Sequence, residues 1–149
     1  MAMTMLDKAA ERKEKTQWPA EIVAEFEREA KQPNPCVGNE FLSEDERSRV
    51  WIIRLGPGAR VGFHRHVLDY FWTCVTGGRA KQYVNDGTVL EYTYKPGETR
   101  HETYGVGEFK VHDLQNVGDR ELIFMTVEFK DSANKPMTLP EHVRPQAAA

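Results

Sequence analysis

Apolar residues recur along this chain with two different periods, and the change between them divides it. Between Pro19 and Lys31 the positions Ile22, Val23, Phe26 and Ala30 fall at helical spacing, which predicts a helix with one apolar stripe. Pro19 suits a first helical turn, where the N–H it lacks would have no partner anyway. Pro33-Asn34-Pro35 ends the helix, since a residue before proline is driven out of the α region. From Cys36 to Phe129 the pattern shortens into β-favouring runs cut by turn residues. Val50 to Leu55 stops at Gly56-Pro57-Gly58, and Tyr70 to Thr76 stops at Gly77-Gly78. Arg79 to Val84 and Thr88 to Tyr94 flank Asn85-Asp86-Gly87, a strong hairpin signal. Further turns are expected at Lys95-Pro96-Gly97, Gly105-Val106-Gly107 and Asn116-Val117-Gly118-Asp119, and Leu122 to Phe129 forms a closing strand.

Short strands at this spacing predict an all-β antiparallel sandwich or barrel. The chain therefore divides into a helical arm over residues 1–35, a barrel over 36–130 and a tail over 131–149. Pro136, Pro140 and Pro145 lead the tail to wrap the surface or fray. No internal repeat is visible. The helix must lay its stripe on something, either the barrel wall or a second subunit. Ile22, Val23 and Phe26 each contribute on the order of 1.5–3 kcal/mol when buried, and barrel edge strands invite pairing. A homodimer built on an edge strand or on the helix is the expectation.

Charge and composition narrow the partners. The 149 residues carry a formal net charge of -3, with 40% hydrophobic and 29% charged residues, as in an ordinary globular domain. No basic run offers the counterion-displacing surface that nucleic acid needs, and no apolar stretch approaches the ~20 residues of a membrane span. Nucleic acid and membrane are thus excluded as expected partners, and a small molecule is left. The first fifteen residues lack the apolar region of a secretory leader. Cys36 and Cys74 form no CxxC pair and read as reduced thiols in a cytoplasmic protein.

The candidate chemistry lies in the five histidines. Side chains two apart on a strand share a face, so His64 and His66 present two imidazoles to one point. Gly58 lies before them, and Gly77-Gly78 follows. His112-Asp113-Leu114-Gln115-Asn116 then precedes Gly118-Asp119 and the final strand. Gly58-x5-His64-x-His66 with Gly77, followed by His112-x3-Asn116, resembles the paired motifs of the cupins over roughly residues 48–130. That resemblance implies a double-stranded β-helix, or jelly-roll, barrel in which His112 joins His64 and His66 at one divalent metal ion. The sequence departs from the family twice. The position of the usual first-motif Glu is Tyr70, and the stretch from Gly97 to His112 is long, as though Gly105-Val106-Gly107-Glu108 formed an inserted turn. Asp69 faces away on a regular strand and reaches the ion only if the segment bends. His101 reads as a plain strand residue, and His142 has no partner in sight.

Three imidazoles without a carboxylate leave an ion its full charge, which favours an anionic chelating guest. Three histidines alone do not choose among Fe, Mn, Ni, Zn and Cu, and it is the resemblance to oxygen-using cupins that implies Fe(II). The set is similar to that of the three-histidine cupin dioxygenases, including acetylacetone dioxygenase and the thiol dioxygenases. The Asp69-Tyr70 pair is similar to that of small one-domain cupins associated with β-alanine degradation. The resemblance therefore implies an oxygenase-type enzyme acting on a small carbonyl, carboxylate or thiol compound. The alternatives are a metal-dependent isomerase or lyase, which uses the same ion, and a non-catalytic small-ligand binder that signals through the helix, although a sensor of that kind normally carries a second domain. Tyr70, Trp72 and Cys74 share strand parity and are expected to line the cavity. Tyr70 is the candidate catalytic proton donor, its other reading being a core aromatic. Phe63, Tyr83, Phe109 and Phe124 are assigned to the core. Arg54, Arg79 and Arg100 are candidate carboxylate anchors, each more simply a solvated side chain.

Overall fold

A computed structural model describes residues 8–12 and 15–143. Two five-stranded sheets form it, and every pairing within them is antiparallel. The first sheet runs β1 (Lys8–Arg12), β7 (Thr88–Tyr94), β6 (Gly78–Tyr83), β9 (Lys110–Asn116), β4 (Arg60–His66). The second runs β2 (Glu40–Glu44), β3 (Ser48–Leu55), β10 (Leu122–Phe129), β5 (Tyr70–Cys74), β8 (Glu98–Glu102). Inward residues of both sheets, among them Ile53, Leu55, Tyr94, Leu114, Leu122 and Phe124, form the main core. The turn glycines do as expected: Gly77 has φ +70, and a Cβ there would come within 2.8 Å of the Pro96 ring. Buried Asn116 ties the last turn together, donating to the carbonyls of Leu55 and Arg120 and accepting from the Gly118 amide.

The helix α1 (Ala20–Lys31) starts one residue after Pro19, whose carbonyl accepts from the Ile22 and Val23 amides. Its stripe lies on its own barrel. Ile22, Val23 and Phe26 pack with Trp18 against Phe63, Val89 and Val111 on the outer face of the first sheet. Two ion pairs lock it there, Glu25 to Arg60 at 2.8 Å and Glu29 to Arg65 at 2.9 Å. The helix therefore needs no second subunit to cover it, and only edge strands remain as a reason to dimerise. The arm is not wholly helical, because Lys8–Arg12 forms β1 on the edge of β7. Helix-favouring Ala, Glu and Lys are overruled there by the unpaired backbone groups of the sheet edge. Residues 1–7 and 13–14 lie outside the described part.

Residues 131–143 of the tail wrap the barrel, and 144–149 are outside the described part. Leu139 is buried against Trp51 and Val37, and the Asn134 amide reaches the Val67 and Gly105 carbonyls. Phe109 departs from its core assignment. It is 43% exposed, because it falls in the turn before β9, and the Arg65 guanidinium lies 4.3 Å over its ring.

Glu128 is buried between the sheets, accepting from the Trp51 indole at 2.8 Å. Desolvation is the main cause that pushes its carboxyl up from 4.5 to about 7. A raised carboxyl pKa means the folded protein holds its proton longer than the unfolded chain, so stability falls as pH rises from about 4.5 through about 7. Glu128→Gln keeps an acceptor for Trp51 and removes this loss. Denaturant titrations should show the variant gaining on the wild type by on the order of 3 kcal/mol between pH 4.5 and 8. Parallel pH profiles would show that Glu128 ionises normally.

Candidate metal centre

The site begins with an irregularity in β4. Val61 pairs with Leu114 and His64 pairs with His112, so Gly62 and Phe63 together oppose Asp113 alone. This is a β-bulge, and it shifts the alternation of faces by one residue. Val61 points into the barrel, Phe63 points out beneath α1, and His64 and His66 point back in. Without the extra residue the two histidines would follow Phe63's present course onto the outer face.

His64, His66 and His112 come together as the spacing predicts, their nearest ring nitrogens all within 4.8 Å of one another. His64 and His66 are 1% and 2% exposed, and His112 is part-buried. The His64 Nδ1–H donates to the Gly62 carbonyl at 2.8 Å, and the His112 Nδ1–H donates to Gln82 Oε1 at 2.6 Å. These bonds fix the tautomers and leave both Nε2 lone pairs facing inward. His66 Nε2 lies 3.0 Å from His112 Nε2, while His64 Nε2 is buried with no hydrogen-bond partner. A shared proton satisfies the first pair but leaves His64 unsatisfied. A divalent ion satisfies all three Nε2 atoms, leaving His66 Nδ1 buried without a protein partner in either case, and two nitrogens held cis at ~2.1 Å from one ion lie ~3 Å apart. The residues fit such an ion.

Electrostatics agree. Burial holds His64 down at about 4 and pushes His66 and His112 well below the ordinary imidazole range, with the Lys110 charge adding to each. Burial therefore favours the neutral form of each ring, the form that binds metal. Among the described residues no carboxylate joins the cluster. Asp69 turns away, its Oδ1 accepting from the Tyr104 amide at 3.0 Å. His101 is exposed on β8 beside Phe71, and His142 is exposed in the tail. The Gly105–Glu108 turn that lengthens the second motif carries His101 no nearer.

A cavity of about 500 Å³ opens over the histidines. Tyr70 and Trp72 line it as their parity predicts, and the Tyr70 ring stacks on His66 at 4.0 Å. Cys74 does not line it. It lies deeper, wholly buried among Leu55, Tyr94 and Leu122, because its place on β5 is nearer the closed end. Phe124 is both core and cavity floor, while Phe63 and Tyr83 belong to the outer cluster under α1. Of the three arginines only Arg100 reaches the cavity. Arg54 pairs with Glu40 and Arg79 with Glu91 on the surface. Sequence reasoning missed Gln82, which lies inward on β6 at even spacing from Ala80, and the charged rim of Glu102 and Lys110.

No protein-family model matches the chain, and comparison with curated proteins gives no match. Solved structures do match. A cupin domain from Bordetella pertussis Tohama I is 29% identical, spans 60% of this chain and 88% of its own, and superposes with a TM-score of 0.52. A protein with a double-stranded β-helix domain from Klebsiella pneumoniae is 26% identical over 58% of this chain and 66% of its own, with a TM-score of 0.46. An RmlC-like cupin family protein from Methanocaldococcus jannaschii is 19% identical over 60% of this chain and 76% of its own, with a TM-score of 0.49. With its two sheets, its paired motifs and the Bordetella likeness, this chain has the double-stranded β-helix fold of the cupins. It is a cupin-fold protein whose three-histidine cluster is compatible with a divalent metal ion.

Replacing His112 with Ala should drop metal bound at equimolar loading well below half occupancy while the β-rich circular dichroism persists. Full retention would remove His112 from the site. Asp69→Asn should hold metal affinity within about tenfold of the wild type, the lower end for residues outside the ligand set. A loss as large as that of His66→Ala would place Asp69 on the ion.

Proposed function

We propose that this protein is a metal-dependent enzyme of the oxygenase type, acting on a small chelating carbonyl, carboxylate or thiol compound at an Fe(II) site. The observation that carries the reading is a cluster of three neutral imidazoles, with no carboxylate among the described residues, beneath a cavity sized for a small molecule. When bound, the ion supplies a Lewis acid and, as iron, a redox partner for oxygen. The chain's own residues supply the rest. Trp72, Tyr92 and Phe124 give the cavity an aromatic floor. Its rim sets Arg100 and Lys110 beside Asp86 and Glu102, with Lys110 3.7 Å from Glu102, so that an anionic substrate would be drawn by the ion and not by the rim's net charge.

Tyr70 is the proposed proton donor. Its hydroxyl is buried beside that of Tyr104, and burial is the first cause that raises its pKa well above the usual phenol value, with the neighbouring Tyr104 hydroxyl adding to it. A phenol kept protonated in a cavity wall is suited to give a hydrogen bond or proton to a substrate oxygen. Tyr104 stacks 6.3 Å behind it and holds the ring against His66.

The reading also takes in compartment and assembly. Both cysteines are free thiols, which supports the cytoplasm, and no helix among the described residues is long and apolar enough to cross a membrane. A homodimer through an edge strand would double the 17.1 kDa chain to about 34 kDa in light scattering, whereas a monomeric mass would refute it.

Oxygen uptake by iron-loaded protein, measured over a panel of β-dicarbonyls, 2-oxo acids and thiols, tests the activity. Substrate-dependent consumption is expected. Turnover that continues without oxygen would make the protein an isomerase or lyase, and tight binding without turnover would make it a binder. Tyr70→Phe should lower kcat by about 100-fold, the low end for a general acid, at unchanged metal content. An unchanged kcat would leave Tyr70 a wall residue.

A further inference from the structure

The bulge that turns His64 inward is held from outside the barrel by the helix. Glu25 on α1 forms a two-pronged pair with Arg60, at 2.8 and 3.2 Å, and the same carboxylate accepts the Phe63 backbone N–H at 2.8 Å. That N–H belongs to the peptide unit whose carbonyl is Gly62 O, the acceptor of the His64 Nδ1–H at 2.8 Å. Glu25 and His64 are therefore bonded to opposite ends of one planar peptide, which transmits position without a soft torsion between them. The absence of a side chain at Gly62 permits the approach, since a Cβ there would lie 2.7 Å from Glu25 Oε2. Arg60 extends the support to the third histidine's neighbour, donating to Asp113 Oδ2 at 2.8 Å.

We propose that Glu25 is a positioning residue for the metal centre, setting the orientation and donor strength of His64 through the Gly62–Phe63 peptide. The proposal rests on His64 being a ligand. A carboxylate at the N–H end polarises the peptide and makes Gly62 O a stronger acceptor, which strengthens the electron donation of His64 Nε2. This is the support that a carboxylate gives a metal-bound histidine, with one peptide interposed. The other helix ion pair, Glu29 with Arg65, meets the bulge only through Asn34, whose N–H Glu29 accepts and whose side-chain amide donates to the Phe63 carbonyl. Glu29→Gln keeps an acceptor for Asn34 and so separates positioning from mere helix docking.

The test uses the full-length protein and two readouts. Histidine-ring NMR of the metal-free protein follows the His64 Nδ1–H, and Co(II) titration follows affinity and ligand-field bands. Glu25→Ala should weaken Co(II) binding about tenfold, the lower end for such outer support, and shift both the bands and the His64 ring signals. Glu29→Gln should leave all of these near wild type. Gly62→Ala, which keeps every charge but displaces the carboxylate, should move them as Glu25→Ala does and carries the test if that variant does not fold. Unmoved His64 signals and Co(II) affinity in both bulge variants would overturn the proposal, as would equal effects from Glu29→Gln. A wild type that binds no Co(II) would refute the metal centre, while the ring signals would still decide the coupling.

Discussion

One extra residue in β4 decides what the interior of this barrel contains. With regular alternation through Val61, the two histidines of β4 would lie on the outer face among the residues that α1 covers. The bulge at Gly62-Phe63 reverses them and gives Phe63 to the helix instead. A bulge leaves backbone groups outside the ladder, and such groups must find partners elsewhere. Here the Phe63 N–H goes to Glu25 and the Gly62 carbonyl goes to the His64 ring. The irregularity, the helix and the site are thus one construction: the cluster of Trp18, Phe26 and Phe63 holds the helix in place, and the helix carboxylate serves the bulge.

What the bulge brings inward is costly to bury and therefore informative. Three imidazoles out of water are kept neutral, and two of their ring nitrogens, His64 Nε2 and His66 Nδ1, are buried without a hydrogen-bond partner. Such an arrangement is poor as a packing solution and good as a ligand set. The missing carboxylate then becomes chemistry: Tyr70 stands in its place, stacked on His66, and Asp69 beside it is spent on the Tyr104 amide. An ion held there would keep its full positive charge, under a cavity whose lining sets Arg100 and Lys110 beside Asp86 and Glu102.

Much of this was legible in the sequence, and the failures have physical reasons. The helix, the hairpin at Asn85-Asp86-Gly87 and the closing strand follow from local rules, because periodicity and turn residues act over a few positions. The meeting of His64, His66 and His112 followed from matching two distant motifs. Parity correctly placed the pair on one face, yet it could not say which face, since a bulge leaves no signature beyond a glycine. Cys74 and Phe109 were misassigned for related reasons: parity gives the side of a strand but not depth along the barrel, and apolar character does not keep a residue out of a turn. The strand at Lys8–Arg12 was hidden because the sheet edge, not its own composition, selects its conformation. Glu25 and Arg60 carried no signal, and Gln82 shared only its strand parity with Ala80, their roles being set by partners far away in the chain.

The central claim is that one divalent ion is held by three imidazoles and by no carboxylate or thiolate of this chain. X-ray absorption spectroscopy of the iron-loaded protein addresses it directly, because imidazole rings leave a multiple-scattering pattern that other ligands lack. The account predicts three imidazoles in a shell of nitrogen and oxygen scatterers near 2.1 Å, with the imidazole pattern reduced by one ring in His64→Ala. A best fit with one imidazole or none, or a sulfur scatterer near 2.3 Å, would contradict it.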